Sequence, residues 1–307
     1  MAETYDMIIV GGGAGGLSAA VYAGRAERKA LLIEKGSYGG RINETREIRN
    51  YPGTIGDTGI GLMEKFKAHA LAFPTNELKR TTVTGIKQLD NGNFLVQTKR
   101  RGDFETRCVL LDLGTKPRAL GIPGEQEFAG HGVAYCATCD GEFFTGKEVF
   151  VIGGGFAAAE ESVFLTRYAK HVTVLIRGED FSCAEAVSRA AKEHPKITVL
   201  SHTAVVEATG DTALRSLRYR DLKTGEETVF APHGDTFGVF VFAGYEPETA
   251  LIRDKVETDP RGYIVTDSSQ RTNLEGVYAA GDVCVKELRQ VVTAVGDGAK
   301  AATALEK

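Results

Sequence analysis

Residues 5–34 read YDMIIVGGGAGGLSAAVYAGRAERKALLIE. An apolar run at 5–10 leads directly into Gly11–Gly16, and small and apolar residues then continue to about Arg28. This order predicts a strand, a glycine turn and a helix. A second apolar run follows and ends at Glu34, so the segment predicts one βαβ unit of a parallel sheet.

The glycines and the acid of this segment have the spacing of a dinucleotide-binding turn. Gly11 permits a tight turn, Gly13 lets backbone N–H groups approach a diphosphate, and Gly16 allows close packing of helix and strand. The helix N-terminus attracts phosphate. Glu34 lies 23 positions after Gly11, a spacing suited to a hydrogen bond with a ribose hydroxyl. Glycine turns alone are common, but strand, helix and acid in this order favour nucleotide binding.

The pattern recurs after Lys147. Residues 148–152 predict a strand, Gly153 and Gly155 begin a second glycine turn, and residues 171–176 predict the strand that completes the unit. We therefore predict an α/β protein with two Rossmann-like nucleotide-binding domains, the second inserted into the first.

The composition restricts the classes of partner. The 307 residues include 42% hydrophobic and 25% charged residues, which is ordinary for a globular protein, and 37 glycines, which exceed the usual share. A formal net charge of -4 provides no basic field for nucleic acid or an anionic membrane. No apolar run reaches the roughly 18 residues of a membrane span, and residues 1–6 lack a basic signal-peptide region. We expect a cytoplasmic protein that binds neither nucleic acid nor membrane.

Cys136 and Cys139 form a Cys-Ala-Thr-Cys motif. Two thiols at this spacing can close a small disulfide ring, and the motif can activate a thiolate for exchange. The alternatives are a zinc site and an inert buried pair. Zinc requires further ligands, but the other cysteines are solitary and no histidine follows at the required spacing. We predict a redox-active dithiol and no metal.

Three features together resemble the low-molecular-weight thioredoxin reductases. They are the N-terminal glycine turn, the sequence CATCD at 136–140 and a late apolar strand ending in Gly281-Asp282. The similarity covers nearly the whole chain. It implies an FAD-binding domain formed by residues 1–115 and 246–307 and an inserted pyridine-nucleotide-like domain at 116–245. We also expect a homodimer.

The resemblance implies a thioredoxin reductase-like flavoenzyme. Electrons pass from a donor through FAD and the dithiol to a protein disulfide, with a thioredoxin-like protein as the expected partner. The family assigns attack on the partner to the first cysteine, here Cys136, and the flavin-facing position to the second, Cys139. Asp140 matches an acid that could supply a proton to a departing thiolate. The alternative for Asp140 is a solvated turn carboxylate.

The resemblance also assigns flavin contacts. In that family the Gly-Asp strand end lies near the ribitol or diphosphate, and the helix that follows presents its N-terminus to the flavin pyrimidine. The predicted FAD-binding residues are Gly11, Gly13, Gly16, Glu34, Gly40, Asn50, Gly281, Asp282, Arg289 and Gln290. The chain departs from the family at Arg41, where glutamine is usual, and at Asp112, which begins Asp-Leu-Gly-Thr where the family has Ala-Thr-Gly-Ala. We expect Asp112 to alter packing beside the FAD without excluding it.

The electron donor is left open by the second glycine turn. NADPH-using members carry His-Arg-Arg and a further Arg three residues later, whereas this chain has Arg177-Gly178-Glu179 and then Cys183. A cationic clamp for the 2′-phosphate is therefore missing. The candidate nucleotide contacts are Gly153, Gly155, Arg177 and Glu179. The candidate donors are NADH with Glu179 near its 2′-OH, weakly bound NADPH, and reduced ferredoxin.

Two other functions fit the same residues. A flavoprotein redox sensor would use the dithiol to report flavin state without turnover. A dithiol oxidase would use it to oxidise a small dithiol with oxygen. Continuous consumption of donor with thioredoxin distinguishes a reductase from a sensor, and substrate-dependent peroxide identifies an oxidase.

Overall fold

The computed structural model describes residues 3–45 and 47–304. The chain divides into two compact units, of which unit 1 is Met1–Lys116 with Glu246–Lys307 and unit 2 is Pro117–Tyr245. Residues 1, 2, 46 and 305–307, which belong to the predicted FAD domain, lie outside the described residues. The two connecting segments pair as short strands, β7 (Thr115–Pro117) and β16 (Tyr245–Pro247).

Unit 1 is built on one seven-stranded sheet. Its strands are β1 (Glu3–Val10), β2 (Ala30–Glu34), β3 (Asn76–Arg80), β4 (Val83–Gln88), β5 (Phe94–Thr98), β6 (Phe104–Leu111) and β17 (Val277–Ala279). The order is β3-β2-β1-β6-β5-β4, and β17 pairs with β6. The pairs β1–β2, β1–β6, β2–β3 and β6–β17 are parallel. All of β2 is buried, as expected for a parallel strand covered on both faces.

Within residues 3–45 and 47–304, unit 1 has three α-helices. They are α1 (Ala14–Arg25), α2 (Gly59–Leu71) and α6 (Val291–Ala304), and 3₁₀ segments lie at Gly40–Glu44 and Gly281–Val283. The predicted strand, turn, helix and strand at the start of the chain are present. Helix α1, however, ends at Arg25, and the expectation that it continues to about Arg28 was wrong.

The early end of α1 has a local cause. Glu27 has a left-handed backbone with φ of 54°, and the Arg28 N–H returns to the Ala23 carbonyl oxygen at 3.0 Å. A left-handed residue followed by a backbone bond that spans five residues is a Schellman-type helix end. The apolar and small residues of the sequence gave no sign of it.

Unit 2 has a five-stranded parallel sheet and a three-stranded antiparallel sheet. Its strands are β8 (Val133–Ala134), β9 (Glu148–Ile152), β10 (His171–Leu175), β11 (Ile197–Leu200), β12 (Thr203–Gly210), β13 (Leu214–Asp221), β14 (Glu227–Phe230) and β15 (Gly238–Val241). The orders are β11-β10-β9-β15-β8 and β12-β13-β14. Its helices are α3 (Ala137–Asp140), α4 (Phe156–Leu165) and α5 (Glu185–Lys192), with a 3₁₀ segment at Gly141–Phe144. The predicted α/β class with two Rossmann-like units is confirmed.

Helices α1 and α6 of unit 1 meet through backbone atoms. A Cβ placed on Gly298 of α6 would lie 2.0 Å from the Gly15 carbonyl oxygen and 3.0 Å from the Ala19 backbone nitrogen, both in α1. Only glycine permits this approach. Helix α6 therefore fixes the start of α1, where the glycine turn ends.

We predict that Gly298→Ala destabilises the protein by about 1–3 kcal/mol, because the added methyl group has no space and the helices must separate. Gly296→Ala is the matched control in the same helix, since its Cβ would meet nothing within 4 Å. It should be neutral or stabilising by up to about 1 kcal/mol through helix propensity. Urea unfolding measures both. Equal stability of the two variants would contradict the close contact.

Candidate functional site

The first glycine turn is held by backbone contacts. A Cβ on Gly11, whose φ is 108°, would lie 2.0 Å from the Asp112 carbonyl oxygen, and a Cβ on Gly16 would lie 2.1 Å from the Gly11 carbonyl oxygen. Side chains are excluded at both positions. The turn consequently brings the N-terminus of α1 against the carboxyl ends of β1 and β6.

The N-terminus of α1 offers backbone donors to a ligand. Gly13 is the N-cap and makes no side-chain cap, and the first turn carries no acidic side chain. The first N–H groups of a helix have no partner within the helix. Together with the helix dipole they form an anion site, which matches the diphosphate of a dinucleotide.

Glu34 closes one side of this turn. It ends β2, is 8% exposed, and accepts hydrogen bonds from the Gly12 N–H at 2.7 Å and from the Gly36 N–H at 2.6 Å. Each carboxylate oxygen can accept more than one bond. Glu34 therefore lies beside the turn with capacity left for a ribose hydroxyl.

The loop after β2 returns to the same turn. The Gly39 N–H donates to the Gly12 carbonyl oxygen at 2.7 Å. A Cβ on Gly40, whose φ is 58°, would find the Cα of Gly13 as its nearest neighbour at 3.9 Å. Predicted site residues from two separate segments thus meet at the helix N-terminus.

The C-terminal segment reaches this region as well. A Cβ on Gly281 would lie 2.4 Å from an Asp112 carboxylate oxygen, so the loop after β17 touches the turn region. The Arg289 guanidinium donates to the Asp282 carbonyl oxygen at 3.3 Å and lies 4.0 Å from the centre of the Tyr263 ring. Burial raises the pKa of Asp282, whereas the nearby Lys286 charge lowers it.

Asn50 and Gln290 are also brought together. The Asn50 side-chain amide donates to Gln290 Oε1 at 2.8 Å. The Gln290 backbone N–H donates to Thr293 Oγ1 at 3.1 Å, and its carbonyl oxygen accepts from Ala294, so Gln290 lies immediately before α6 and bonds to its first turn. All ten predicted FAD-binding residues therefore belong to unit 1.

One buried ion pair at this site was missed by the sequence reasoning. Asp297 of α6 accepts hydrogen bonds from Lys286 and, at 3.1 Å, from the Gly281 N–H. The side chains of Lys286 and Asp297 are 14% and 11% exposed. The pair ties the loop after β17 to α6. Eleven residues separate the partners, and no motif marked them.

The two motif cysteines of unit 2 form a disulfide. Cys136 is the N-cap of α3, and its Sγ accepts a hydrogen bond from the Cys139 N–H at 3.2 Å. Cys136 is half-buried, and Cys139 is exposed. Asp140 follows at the end of α3, where burial raises the pKa of its carboxyl. Phe143, the third residue of the 3₁₀ segment that follows α3, is 76% exposed.

A buried carboxylate supports the chain before the disulfide. Glu125 is 1% exposed and accepts from the Leu120 and Gly121 N–H groups and from the Tyr135 hydroxyl at 2.8 Å. Tyr135 directly precedes Cys136. The arrangement fixes the backbone that delivers the first sulfur.

The chain was compared with known proteins. The profile of the pyridine nucleotide-disulphide oxidoreductase family matches residues 5–298. The thioredoxin reductase of Peptoclostridium acidaminophilum is 43% identical over 311 aligned residues, covering 100% of this chain and 98% of that protein. A bifunctional thioredoxin reductase/thioredoxin of Mycobacterium leprae is 40% identical over 305 residues, covering 99% of this chain and 65% of that protein. The crystal structure of Lactococcus lactis thioredoxin reductase superposes with a TM-score of 0.92 at 38% identity, covering 98% of each chain.

The chain belongs to the low-molecular-weight thioredoxin reductase family. Members are FAD-dependent oxidoreductases, so the predicted family, enzyme class and flavin cofactor are confirmed.

The second glycine turn of the chain repeats the backbone of the first. The Gly153 N–H bonds to the Leu175 carbonyl oxygen at 3.1 Å, as the Gly11 N–H bonds to the Ile33 carbonyl oxygen at 2.8 Å. The residue after Leu175 is Ile176, which therefore stands at the position that Glu34 occupies in unit 1. Ile176 is 2% exposed and apolar.

The start of α4 differs from α1 in the same way. Phe156 is the first residue of α4 and is 52% exposed. The equivalent first residue of α1 is the small, buried Ala14. A large aromatic side chain thus stands at the helix N-terminus where a diphosphate would approach.

Glu179 lies in a charged cluster that the sequence reasoning missed. Its Oε2 is 2.7 Å from His202 Nε2 and 3.5 Å from Lys223 Nζ. The bond with His202 and the Lys223 charge lower the pKa of the Glu179 carboxyl. The neighbouring Asp180 pairs with Lys192. Both acids are therefore carboxylates with basic partners.

None of the helices within residues 3–45 and 47–304 has both the length and the apolar character required to cross a membrane. Within the same part of the chain, no three histidine, cysteine or acidic side chains are arranged to hold a metal ion.

We predict that Lys286→Met lowers the free energy of unfolding by about 3 kcal/mol, because it leaves the Asp297 carboxylate buried without its cation. The double variant Lys286→Met/Asp297→Asn should recover much of this loss. Lys65→Met removes an exposed ion pair with Asp57 in the same unit and is the control, with little change expected. Denaturant unfolding of the wild type, the single variants Lys286→Met and Asp297→Asn, the double variant and the control gives the coupling. Additive losses in the double variant would contradict the pairing.

Proposed function

We propose that unit 1 binds FAD and that electrons pass from it through the Cys136–Cys139 disulfide to a thioredoxin-like protein. The observation that carries the proposal is the presence, in one chain, of a glycine-lined helix N-terminus and a Cys-x-x-Cys disulfide. When bound, FAD accepts an electron pair from a donor and delivers it to a disulfide.

The residues of unit 1 fit FAD in three respects. The backbone at Gly11 and Gly16 leaves no room for side chains, so the turn packs tightly and presents the N-terminus of α1 to a diphosphate. Glu34 has carboxylate oxygens beside the turn for a ribose. The loop carrying Asp282 and the start of α6 at Gln290 lie in the same unit, where they would hold the ribitol and flavin ends.

The disulfide residues take distinct roles in this proposal. Reduction of the disulfide gives two thiol groups, of which Cys136 attacks the partner disulfide to form a mixed disulfide. Cys139 then attacks Cys136, which releases the reduced partner and restores the intramolecular disulfide. The Cys139 N–H already bonds to Cys136 Sγ and would stabilise a thiolate there. Asp140 supplies the proton for a departing sulfur, and burial keeps its carboxyl protonated to higher pH.

A protein partner suits the surroundings of the disulfide. Phe143 exposes most of its ring four residues after Cys139, and exposed aromatic side chains are favoured contacts in protein interfaces. A relative from Mycobacterium leprae is named as a fusion of a thioredoxin reductase with a thioredoxin. We propose a thioredoxin as the physiological acceptor.

The charges and side chains of unit 2 argue against NADPH as the donor. NADPH needs cations for its 2′-phosphate, but Glu179 and Asp180 bring carboxylates to the loop after β10. At the position that Glu34 occupies in unit 1, unit 2 has Ile176, so no carboxylate stands there to bind the ribose of NADH. Phe156 adds bulk at the diphosphate position. We infer that NADPH is a poor donor, and NADH and reduced ferredoxin are the alternatives to test.

We predict that Cys136→Ser and Cys139→Ser each abolish thioredoxin reduction and retain bound FAD, because exchange needs both sulfurs and the flavin residues lie in unit 1. Asp140→Asn is the matched comparison, since it keeps both sulfurs. It should slow turnover by about 10²-fold, as expected for loss of a general acid. Insulin-coupled turnover and the flavin spectrum measure the two properties. Near-normal turnover by either serine variant would overturn the mechanism.

We predict slow bleaching of the flavin by NADPH in rapid mixing and faster bleaching after Gly178→Arg/Glu179→Arg. A Cβ at Gly178 would meet only the Asp180 carbonyl oxygen, at 3.8 Å, so the site can accept a side chain. Opposite charges about 4 Å apart attract by about 4 kcal/mol at an effective dielectric of 20, before salt screening reduces it. Affinity for NADPH should therefore rise by at least tenfold.

Gly178→Gln/Glu179→Gln controls for size without positive charge. Its affinity for NADPH should rise less than that of the arginine variant, because the glutamine substitutions only remove repulsion. NADH and reduced ferredoxin are mixed with the wild type in parallel. Rapid wild-type bleaching at micromolar NADPH would contradict the inference, and bleaching by ferredoxin alone would identify a non-nicotinamide donor.

A further inference from the structure

Asp112 is a buried carboxyl group within the glycine turn of unit 1. It follows β6 directly, and its N–H bonds to the Val10 carbonyl oxygen at 2.8 Å. Its Oδ2 accepts a hydrogen bond from the Gly16 N–H at 2.7 Å. The residue is 8% exposed. An internal carboxyl group therefore lies at the first turn of α1, close to the N–H groups assigned to the diphosphate.

The surrounding glycines leave space for this carboxyl group. A Cβ on Gly13 or Gly15 would lie 2.8 Å from one of its oxygens, and a Cβ on Gly281 would lie 2.4 Å from one. The carboxyl oxygens thus contact the backbone of the turn and of the loop after β17. Asp112 forms part of the wall of the proposed cofactor site.

The protonation of Asp112 is finely balanced. Burial raises the pKa of its carboxyl to about 7, helped by the charges of Asp282 and Glu34. The hydrogen bond from Gly16 and the charge of Lys286 act in the opposite direction. Near neutral pH the group is therefore present in both states.

The neighbouring charges come from every element around Asp112. Glu34 ends β2, the loop after β17 carries Asp282 and Lys286, and α6 contributes Asp297, which pairs with Lys286. The first turn of α1 has no acidic side chain. The cationic Arg41 and Arg289 act on Asp282. Three acids and three bases therefore surround Asp112, and a bound diphosphate would add two negative charges to this balanced set.

We propose that Asp112 takes up a proton from solvent when FAD binds, so that this carboxyl group makes cofactor affinity depend on pH. The proposal rests on the assignment of FAD to unit 1. Asp112 acts as a positioning residue of the cofactor site: protonated, it keeps its bond to Gly16 without repelling the diphosphate.

The direction of the pH effect follows from linkage. Phosphate charge near the carboxyl stabilises its protonated form, so the bound state holds the proton more tightly than the apoprotein. Below about pH 7 the apoprotein is already protonated and affinity is constant. Above it, binding must add a proton, and Kd rises by up to about tenfold for each pH unit until the bound form also titrates.

The test is a titration of apoprotein with FAD from about pH 6 to pH 9, followed by flavin fluorescence, for wild type, Asp112→Asn and Asp112→Ala. The asparagine keeps an acceptor for the Gly16 N–H and cannot carry charge. Asp90→Asn is the control, since it removes an exposed acid from the same unit. The diphosphate of FAD is fully ionised throughout this range.

We expect Kd of the wild type and of Asp90→Asn to rise with pH, and Kd of both Asp112 variants to stay nearly flat. At about pH 9 the asparagine variant should bind FAD at least about tenfold more tightly than the wild type. Calorimetry of the wild type in buffers of different ionisation enthalpy should show proton uptake on binding that increases with pH and approaches one proton above the pKa of Asp112. This measurement does not depend on any variant folding.

Equal slopes in wild type and Asp112→Asn, or no proton uptake by the wild type, would overturn the proposal while leaving FAD binding intact. A wild-type apoprotein that binds no FAD at any pH would instead overturn the assignment of the cofactor site, and this inference with it.

Discussion

Backbone contact at the first glycine turn is the constraint on which unit 1 depends. Gly11 lies against the Asp112 carbonyl group, Gly16 lies against Gly11, and Gly298 of α6 lies against Gly15. These contacts exclude side chains and bring β1, β6, α1 and α6 to one point. The N-terminus of α1 lies at this point, and Glu34, Gly40 and Gly281 reach the same region. Glu34 and Asp112 bring carboxyl groups to the turn, where each accepts a hydrogen bond from its backbone.

The two units show how the same backbone can serve different chemistry. Both glycine turns bond to the strand that follows them in the same register. Unit 1 then places Glu34 and Ala14 at the turn, whereas unit 2 places Ile176 and Phe156 there. Backbone contacts preserve the fold in both cases, while the side chains at the turn differ between the units. NADPH is inferred to be a poor donor because of this difference and because of the paired acids after β10.

The sequence predicted those elements for which the local residue pattern alone specifies the secondary structure. The strand at 148–152 is present with those limits, because a short apolar run between polar and glycine residues has few alternatives. The predicted end of α1 was wrong because the left-handed conformation of Glu27 leaves no signal in the composition of the sequence. The ion pair of Lys286 with Asp297 and the cluster around Glu179 depend on residues brought together by the fold, and no local pattern predicts such contacts. Asp112 was visible as a departure from the family, but its bond to Gly16 across 96 positions was not.

We propose that this chain carries electrons from its flavin to thioredoxin through one disulfide. Anaerobic mixing of FAD-loaded protein, reduced with stoichiometric dithionite, with excess oxidised thioredoxin tests it most directly, because the natural donor is bypassed. The account predicts that oxidised flavin absorbance returns and that reduced thioredoxin forms in proportion to the electrons supplied. Flavin that stays reduced in the presence of excess oxidised thioredoxin would contradict it.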